Sequence, residues 1–330
     1  MIWEPSGSRV VSDAGRDDIV LPFTVETLDV RGRVVRLGPA VDALLRHQSY
    51  PEPIARLVGE AAALTVLLGS ALKIEGRFQL QTKSDGPVSM LIVDFDAPDR
   101  LRAFVRFDAD RVAATAAEGQ AGGAMLGSGH LAFTIEPGRD LSRYQGIVAL
   151  EGQSLEEAAH QYFRQSEQIP TLVRLAVAEN VTGEGRKWRA GGLMVQFLPT
   201  SPSRQRQADF HPGDAPQGAV NEEFVEDDAW REAKLLAATT EDHELVDPTL
   251  SSERLLYRLF HEPGVRVFGA QDVRAACRCS RERIEAMLRR FTLQERRDMI
   301  GDNGMIGVTC EFCAEHREFD PASLDTTTPA

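Results

Sequence analysis

Hydrophobic positions change their rhythm three times along this chain. From Pro51 to Leu72, apolar residues recur at Ile54, Leu57, Val58, Ala61, Leu64, Val66, Leu67 and Leu72. That spacing predicts a helix buried over much of its surface. Pro51-Glu52-Pro53 starts it, since proline is tolerated in a first turn where its missing N–H costs least. The run Ala61–Leu72 is the longest apolar stretch, short of the ~20 residues that span a bilayer. A period-two rhythm follows, predicting strands at Arg77–Thr82, Val88–Phe95, Leu101–Phe107, His130–Glu136 and Gln145–Leu150, with a turn at Ser84-Asp85-Gly86-Pro87. Ser154-Leu155-Glu156-Glu157 places an N-cap before a carboxylate and predicts a helix to about Gln165. Strands at Thr171–Ala178 and Gly192–Leu198 close the series. Residues 1–200 thus read as an α+β domain of mixed sheet and packed helices.

The third regime is polar. Residues 201–218 are rich in Pro, Ser, Gln and Gly and read as a flexible linker. Helical spacing returns at Asp228–Ala238, with Trp230, Ala233 and Leu236, and at Ser251–His261, with Leu255, Leu256, Leu259 and Phe260. Residues 263–330 form a small last module, with helices expected at Ser280–Arg290 and Thr292–Ile300 and a strand at Gly307–Thr309.

Charge sharpens this division. The net charge is −13, and residues 201–262 carry −8 of it, from 14 acidic and 6 basic side chains. Such a balance argues against a general nucleic-acid binder or docking on an anionic membrane. Met1–Gly7 shows no basic segment leading into an apolar run, so no secretory signal is expected and the compartment is read as cytoplasmic. Cysteines there stay mostly reduced.

All four cysteines fall near the end, as Cys277-x-Cys279 and Cys310-x-x-Cys313. Two close pairs flanking a small insert suit a tetrahedral four-sulfur zinc site. Iron–sulfur run spacings are absent. Two readings stay open on spacing alone. One is a structural zinc module. The other is a redox-active site, because a bridge across one residue closes a strained ring, and strained bridges are labile. Arg274, Arg278, Arg281 and Arg283 would favour thiolates at the first pair. His316 is read as a surface residue, not a ligand.

Other chemistry is missing. The stretch Gly119–Gly129 lacks the lysine of a phosphate-binding loop and reads as a mobile hairpin loop. Asp94 and Asp96, two apart on a strand, read as a solvated face. No ATP site and no catalytic constellation is visible, so no enzyme is expected.

Around the cysteines the chain reads Cys277-Arg278-Cys279-Ser280 with Arg281-Glu282-Arg283, and Val308-Thr309-Cys310-Glu311-Phe312-Cys313. Upstream it carries Arg46-His47-Gln48, Tyr50-Pro51-Glu52-Pro53, Ser84-Asp85-Gly86-Pro87, Arg143 to Val148, Glu151-Gly152 and Tyr162 to Thr171. Together these motifs resemble those of the 33 kDa chaperonin family, the redox-regulated heat-shock chaperones of bacteria. The resemblance covers roughly residues 20–200 and 250–320. The first 20 residues look like an extension, 201–225 like an insertion, and the tail after Asp320 matches nothing.

The resemblance implies an ATP-independent holdase in three parts: a client-binding and dimerisation domain (1–200), a metastable linker (201–262) and a zinc-binding redox switch (263–330). One zinc ion on Cys277, Cys279, Cys310 and Cys313 would keep the reduced form off. Oxidation by hypochlorite, or by peroxide with heat, would form Cys277–Cys279 and Cys310–Cys313 disulfides, release the zinc and expose apolar surface to unfolding clients. Dimerisation would accompany activation. A zinc-ribbon nucleic-acid binder using Arg281, Arg283, Arg289, Arg290, Arg296 and Arg297 is the alternative, though interleaved acidic residues point to a salt-bridged face. A thiol–disulfide oxidoreductase would want Cys-x-x-Cys opening a helix after a strand, which is lacking.

Overall fold

A computed structural model describes residues 16–46, 48, 50–72, 76–120, 122–138, 142–183, 185–198 and 226–324. The stretch 201–225, most of the expected extension and the last six residues lie outside the described residues.

The amino-terminal part is built around one helix. Strands β1 (Ile19–Val25) and β2 (Val30–Leu37) lead through α1 (Pro39–Arg46) into α2 (Glu52–Gly69). Every α2 residue from Ala61 to Gly69 is buried, as the apolar spacing required. Strands β3 (Gly76–Ser84), β4 (Val88–Asp96) and β5 (Arg100–Phe107) follow, then helices α3 (Ala109–Ala117) and α4 (Gly123–Leu126). Next come β6 (Ser128–Pro137), β7 (Tyr144–Glu151) and α5 (Leu155–Tyr162), whose Ser154–Glu157 capping box forms as expected. The long strands β8 (Thr171–Thr182) and β9 (Gly185–Phe197) end this part.

Two six-stranded sheets grip α2. Later short strands complete both: β10 (Arg266–Val267), β11 (Gln271–Asp272) and β12 (Arg274–Ala275). The first sheet runs β10-β1-β2-β9-β8, with β11 also on β1; the second runs β12-β5-β4-β3-β6-β7. In the second sheet Phe78, Leu80 and Thr82 of β3 alternate inward, and Leu80 sits opposite both Val93 and Phe133. Its inner face joins α2 in one core with Val20, Val35 and Val173 of the first sheet.

The first sheet is buried on both faces. Its outer face offers Leu21, Phe23, Val34, Leu193, Val195 and Phe197 to three helices: α6 (Asp228–Ala238), α7 (Asp242–Val246) and α8 (Ser252–Phe260). Trp230, Ala233, Leu255, Leu256, Leu259 and Phe260 fill this second core. The predicted faces of α6 and α8 are therefore the faces that pack.

The last module holds α9 (Arg281–Leu288), α10 (Leu293–Asp298), the hairpin β13 (Ile306–Thr309) and β14 (His316–Phe319), and α11 (Pro321–Leu324). Its own core is small: Ile284, Leu288, Ile306, Phe319 and Leu324. One expectation is corrected. The part of the glycine-rich stretch from Gly123 to Gly129 is not a hairpin loop but a packed segment that contains α4 and leads into β6. Met125 and Leu126 are fully buried, and a Cβ on Gly123 would lie 2.0 Å from the Gly152 carbonyl oxygen.

Candidate metal centre

The four cysteines come together from two chain segments. Cys277 and Cys279 follow β12, whose parallel pairing with β5 extends to a hydrogen bond from Ala276 N–H to the Leu101 carbonyl, 3.0 Å. Just beyond, the Ser280 hydroxyl caps α9 by accepting from the Arg283 N–H. Cys310 directly follows β13 and Cys313 lies in the turn toward β14. There Cys310 N–H donates to the Glu315 carbonyl at 3.0 Å, Ala314 N–H donates to the Cys310 carbonyl at 2.8 Å, and Ala314 adopts a left-handed φ of 55°.

All four sulfur atoms lie within 4.8 Å of one another. Cys277 Sγ is 3.7 Å from Cys310 Sγ, and Cys279 Sγ is 3.3 Å from Cys313 Sγ. A tetrahedron of ~2.3 Å metal–sulfur bonds has edges of about 3.8 Å, so the donor set fits a closed four-thiolate site. The thiols are half-buried. Burial opposes ionisation of Cys277, but hydrogen bonds from the Cys279 backbone and the neighbouring thiols outweigh it and bring its pKa below the usual thiol value. Burial, and then the surrounding sulfurs, push Cys279 up, and burial also raises Cys313. One thiolate thus disfavours the next, and a bound cation reverses that.

The arginines near the first pair do not serve it as expected. Arg274 pairs with Asp99 at 2.8 Å, Arg281 with Glu285 at 3.3 Å, and Arg283 donates to the Arg278 carbonyl at 3.2 Å. His316 stays outside the cluster, half-exposed, with Nδ1 2.9 Å from the Thr309 hydroxyl.

Asp94 and Asp96 are a second correction, because they are no solvated face. Asp94 is fully buried and Asp96 nearly so. Asp94 accepts from Gln79 at 2.8 Å, from Arg102 at 2.8 Å and from Arg278 Nη2 at 3.2 Å; Asp96 Oδ2 lies 3.1 Å from Arg278 Nε. Arg278, the residue between the first two cysteines, thus plugs into the second sheet. The second pair is held in parallel. Phe312 lies between the Phe104 ring, 5.8 Å away, and the Arg102 guanidinium, 3.9 Å above its ring. Gln48 donates to the Glu311 carbonyl at 2.8 Å and accepts from Tyr50 at 2.6 Å. A cleft of about 280 Å³ opens at this seam, lined by Leu44, Leu101, Arg102, Cys277, Cys279 and Phe312 among others.

Farther off, helices α6 to α8 sit on a prepared seat. Arg36 of β2, 1% exposed, donates to the carbonyls of Glu244 and Asp247, and Arg189 of β9 donates to the Val246 carbonyl at 2.6 Å and pairs with Asp17. Two buried guanidiniums so cap the carboxyl end of α7, where partial negative charge gathers. Gly191 permits the approach: a Cβ there would be 2.2 Å from the Leu245 carbonyl oxygen. None of Arg36, Arg189 or Gly191 was singled out by the sequence patterns. A charged residue inside an apolar strand was the available signal for Arg36.

A family model described as Hsp33 protein matches residues 18–320. A 33 kDa chaperonin of Caulobacter vibrioides is 44% identical over 92% of this chain and 95% of its own length. One of Shewanella loihica is 33% identical over 93% of this chain and 94% of its own length. Among solved structures, the 33 kDa chaperonin (heat shock protein 33 homolog) of Thermotoga maritima superposes with a TM-score of 0.72 at 18% identity, covering 94% of this chain and 97% of that one.

Proposed function

This chain belongs to the Hsp33 family of chaperones, and from that premise we propose that it is a redox-regulated, ATP-independent holdase, off when reduced and zinc-bound. The observation that carries the proposal is the gathering of Cys277, Cys279, Cys310 and Cys313 within 4.8 Å at the seam between the module and the second sheet. A bound zinc ion supplies the positive charge that holds four thiolates together and cross-links the module.

The chain's own part of the switch follows from its chemistry. Cys277 with Cys279, and Cys310 with Cys313, each pass two electrons to an oxidant. With hypochlorous acid, two thiolates give a disulfide, chloride and hydroxide; with hydrogen peroxide they give a disulfide and two hydroxides. Each bridge removes two donors, so the four-sulfur site is lost. A module whose core is five side chains does not stay folded without its cross-link. Unfolding of the module also takes β10 and β11 from β1 of the first sheet, and the apolar faces that α6 to α8 share with that sheet become available to unfolding clients. Activation is accompanied by homodimer formation, and the site of action is the cytoplasm.

The test uses one sample before and after oxidant. Zinc per chain and light-scattering suppression of client aggregation are measured together. The expected result is one zinc and no suppression when reduced, then no zinc and strong suppression when oxidised. An oxidised, zinc-free form that suppresses nothing would end the proposal.

A further inference from the structure

The residues enclosed by the cysteine pairs dock on the second sheet and on Gln48. Arg278 lies inside the first pair and Glu311 and Phe312 inside the second. Arg278 reaches Asp94 and Asp96; Phe312 packs on Phe104 and Arg102; the Glu311 carbonyl takes the Gln48 amide. The metal-ligating side chains and the docking side chains therefore alternate along the same few residues.

We propose that Arg278 is a positioning residue that couples the state of Cys277 and Cys279 directly to docking of the module on the second sheet, with Phe312 as its counterpart in the second pair. With both thiols turned to a common centre, the intervening side chain is aimed away from it, into the Asp94–Asp96 pocket. A Cys277–Cys279 bridge closes a small ring whose backbone includes the N, Cα and C of Arg278. Closing that ring redirects the Arg278 side chain, so the guanidinium leaves its two carboxylates. Asp94 has no solvent to replace it, since its side chain is fully buried, and keeps Arg102 and Gln79 at hydrogen-bond distance with Arg77 4.0 Å away, while Asp96 keeps Arg77 at 3.3 Å. Losing one partner of a buried ionic group is costly, while a surface ion pair would barely register. The same thiol chemistry that removes the metal donors therefore also pulls the module off the sheet. The linkage lies close to β12, where Arg274 N–H donates to Asp99 and Ala276 N–H to Leu101.

The docking half of this inference stands without the redox reading; the oxidative half rests on it. The test uses the full-length, reduced, zinc-loaded chain and the variants Arg278→Gln, Arg278→Lys and Asp94→Asn. Hydrogen exchange is read at the Arg274 and Ala276 amides and in the hairpin β13–β14, and zinc release is timed at a fixed dose of hypochlorous acid. In Arg278→Gln the two seam amides exchange about tenfold faster, as expected for one lost charge-assisted contact. Zinc per chain and hairpin protection stay as in the wild type, which separates docking from module folding. Zinc release quickens by a similar factor. Lysine restores part of both effects, because it keeps the charge but not the fork that reaches two carboxylates. Asp94→Asn approaches the contact from the sheet side, and combining it with Arg278→Gln adds little. Seam exchange or zinc release within about twofold of the wild type in both single variants, or additive effects in the double variant, would overturn the proposal. A wild-type chain that keeps its zinc under oxidant would instead overturn the redox reading.

Discussion

Buried ionisable side chains mark the places where separate parts of this chain meet. Glu60 on α2 shows the cost of that arrangement. Burial raises its pKa to about 7, Glu156 and Asp242 push the same way, and Arg56 opposes them. Asp242 belongs to α7, so this carboxyl senses the helices on the first sheet. Its folded pKa is raised, so its neutral form favours the folded state. That contribution is complete below the ordinary value near 4.5 and is lost as pH rises through about 7. Glu60→Gln, which cannot ionise, should therefore raise the melting temperature by about 3 °C at pH 8 and leave it unchanged near pH 4. Calorimetry of both proteins at the two pH values checks this; an equal gain at both would show that charge is not the cause. Residues of this kind were poorly legible in the sequence. The four cysteines announce themselves by spacing. Asp94, Asp96, Arg36 and Glu60 look like ordinary surface charges until the fold shows what buries them.

Elements differ in how far local sequence determines them. Helices α6 and α8 carry caps at Asp227 and Ser251 and an apolar stripe each, so their limits are readable to within a residue or two. Strands of the second sheet are readable because one face is buried and the other is not. β1 and β2 had no assigned element, since strands buried on both faces show little alternation. β10, β11 and β12, two residues each, exist only through their partners on β1 and β5. The five-residue α7 has a local capping box at Glu241 and Glu244, but it also rests on the sheet beneath it. Its seat gives a direct prediction. In Gly191→Ala the new methyl would overlap the Leu245 carbonyl, so α7 must lift from β9. Amides of α7 and α8 should then exchange about tenfold faster in the reduced, zinc-loaded chain, while those of β3 and β4 keep their protection. Unchanged protection of α8 would mean that α7 does not anchor its neighbouring helices.

At the scale of the whole molecule, three cores of unequal size set an order of stability. The core around α2 is the largest and joins both sheets; the core under α6 to α8 is intermediate; the module's is the smallest. The described part of the acidic stretch, residues 226–262, belongs to the middle level. Part of its charge is matched on the protein, by Arg174 with Asp242 at 2.8 Å and Arg258 with Glu244 at 2.6 Å. The sequence distinguishes these three levels by composition, but not the strands β10 to β12, which tie the last of them back to both sheets. Removing metal without oxidation isolates the lowest level. Five buried side chains cannot offset the ordering entropy of the residues from Cys277 to Leu324. A chelator added with a thiol reductant should therefore strip protection from β13 and β14 and leave α2, β3 and β4 at wild-type exchange. Because no disulfide forms, zinc should restore the hairpin fully. Loosening of α6 to α8 under the same treatment would trail that of the hairpin, since their contacts are with the first sheet and not with the module's core. A hairpin that keeps its protection in chelator would mean that the module folds without metal, and the order of stability argued from core size would be wrong at its lowest step.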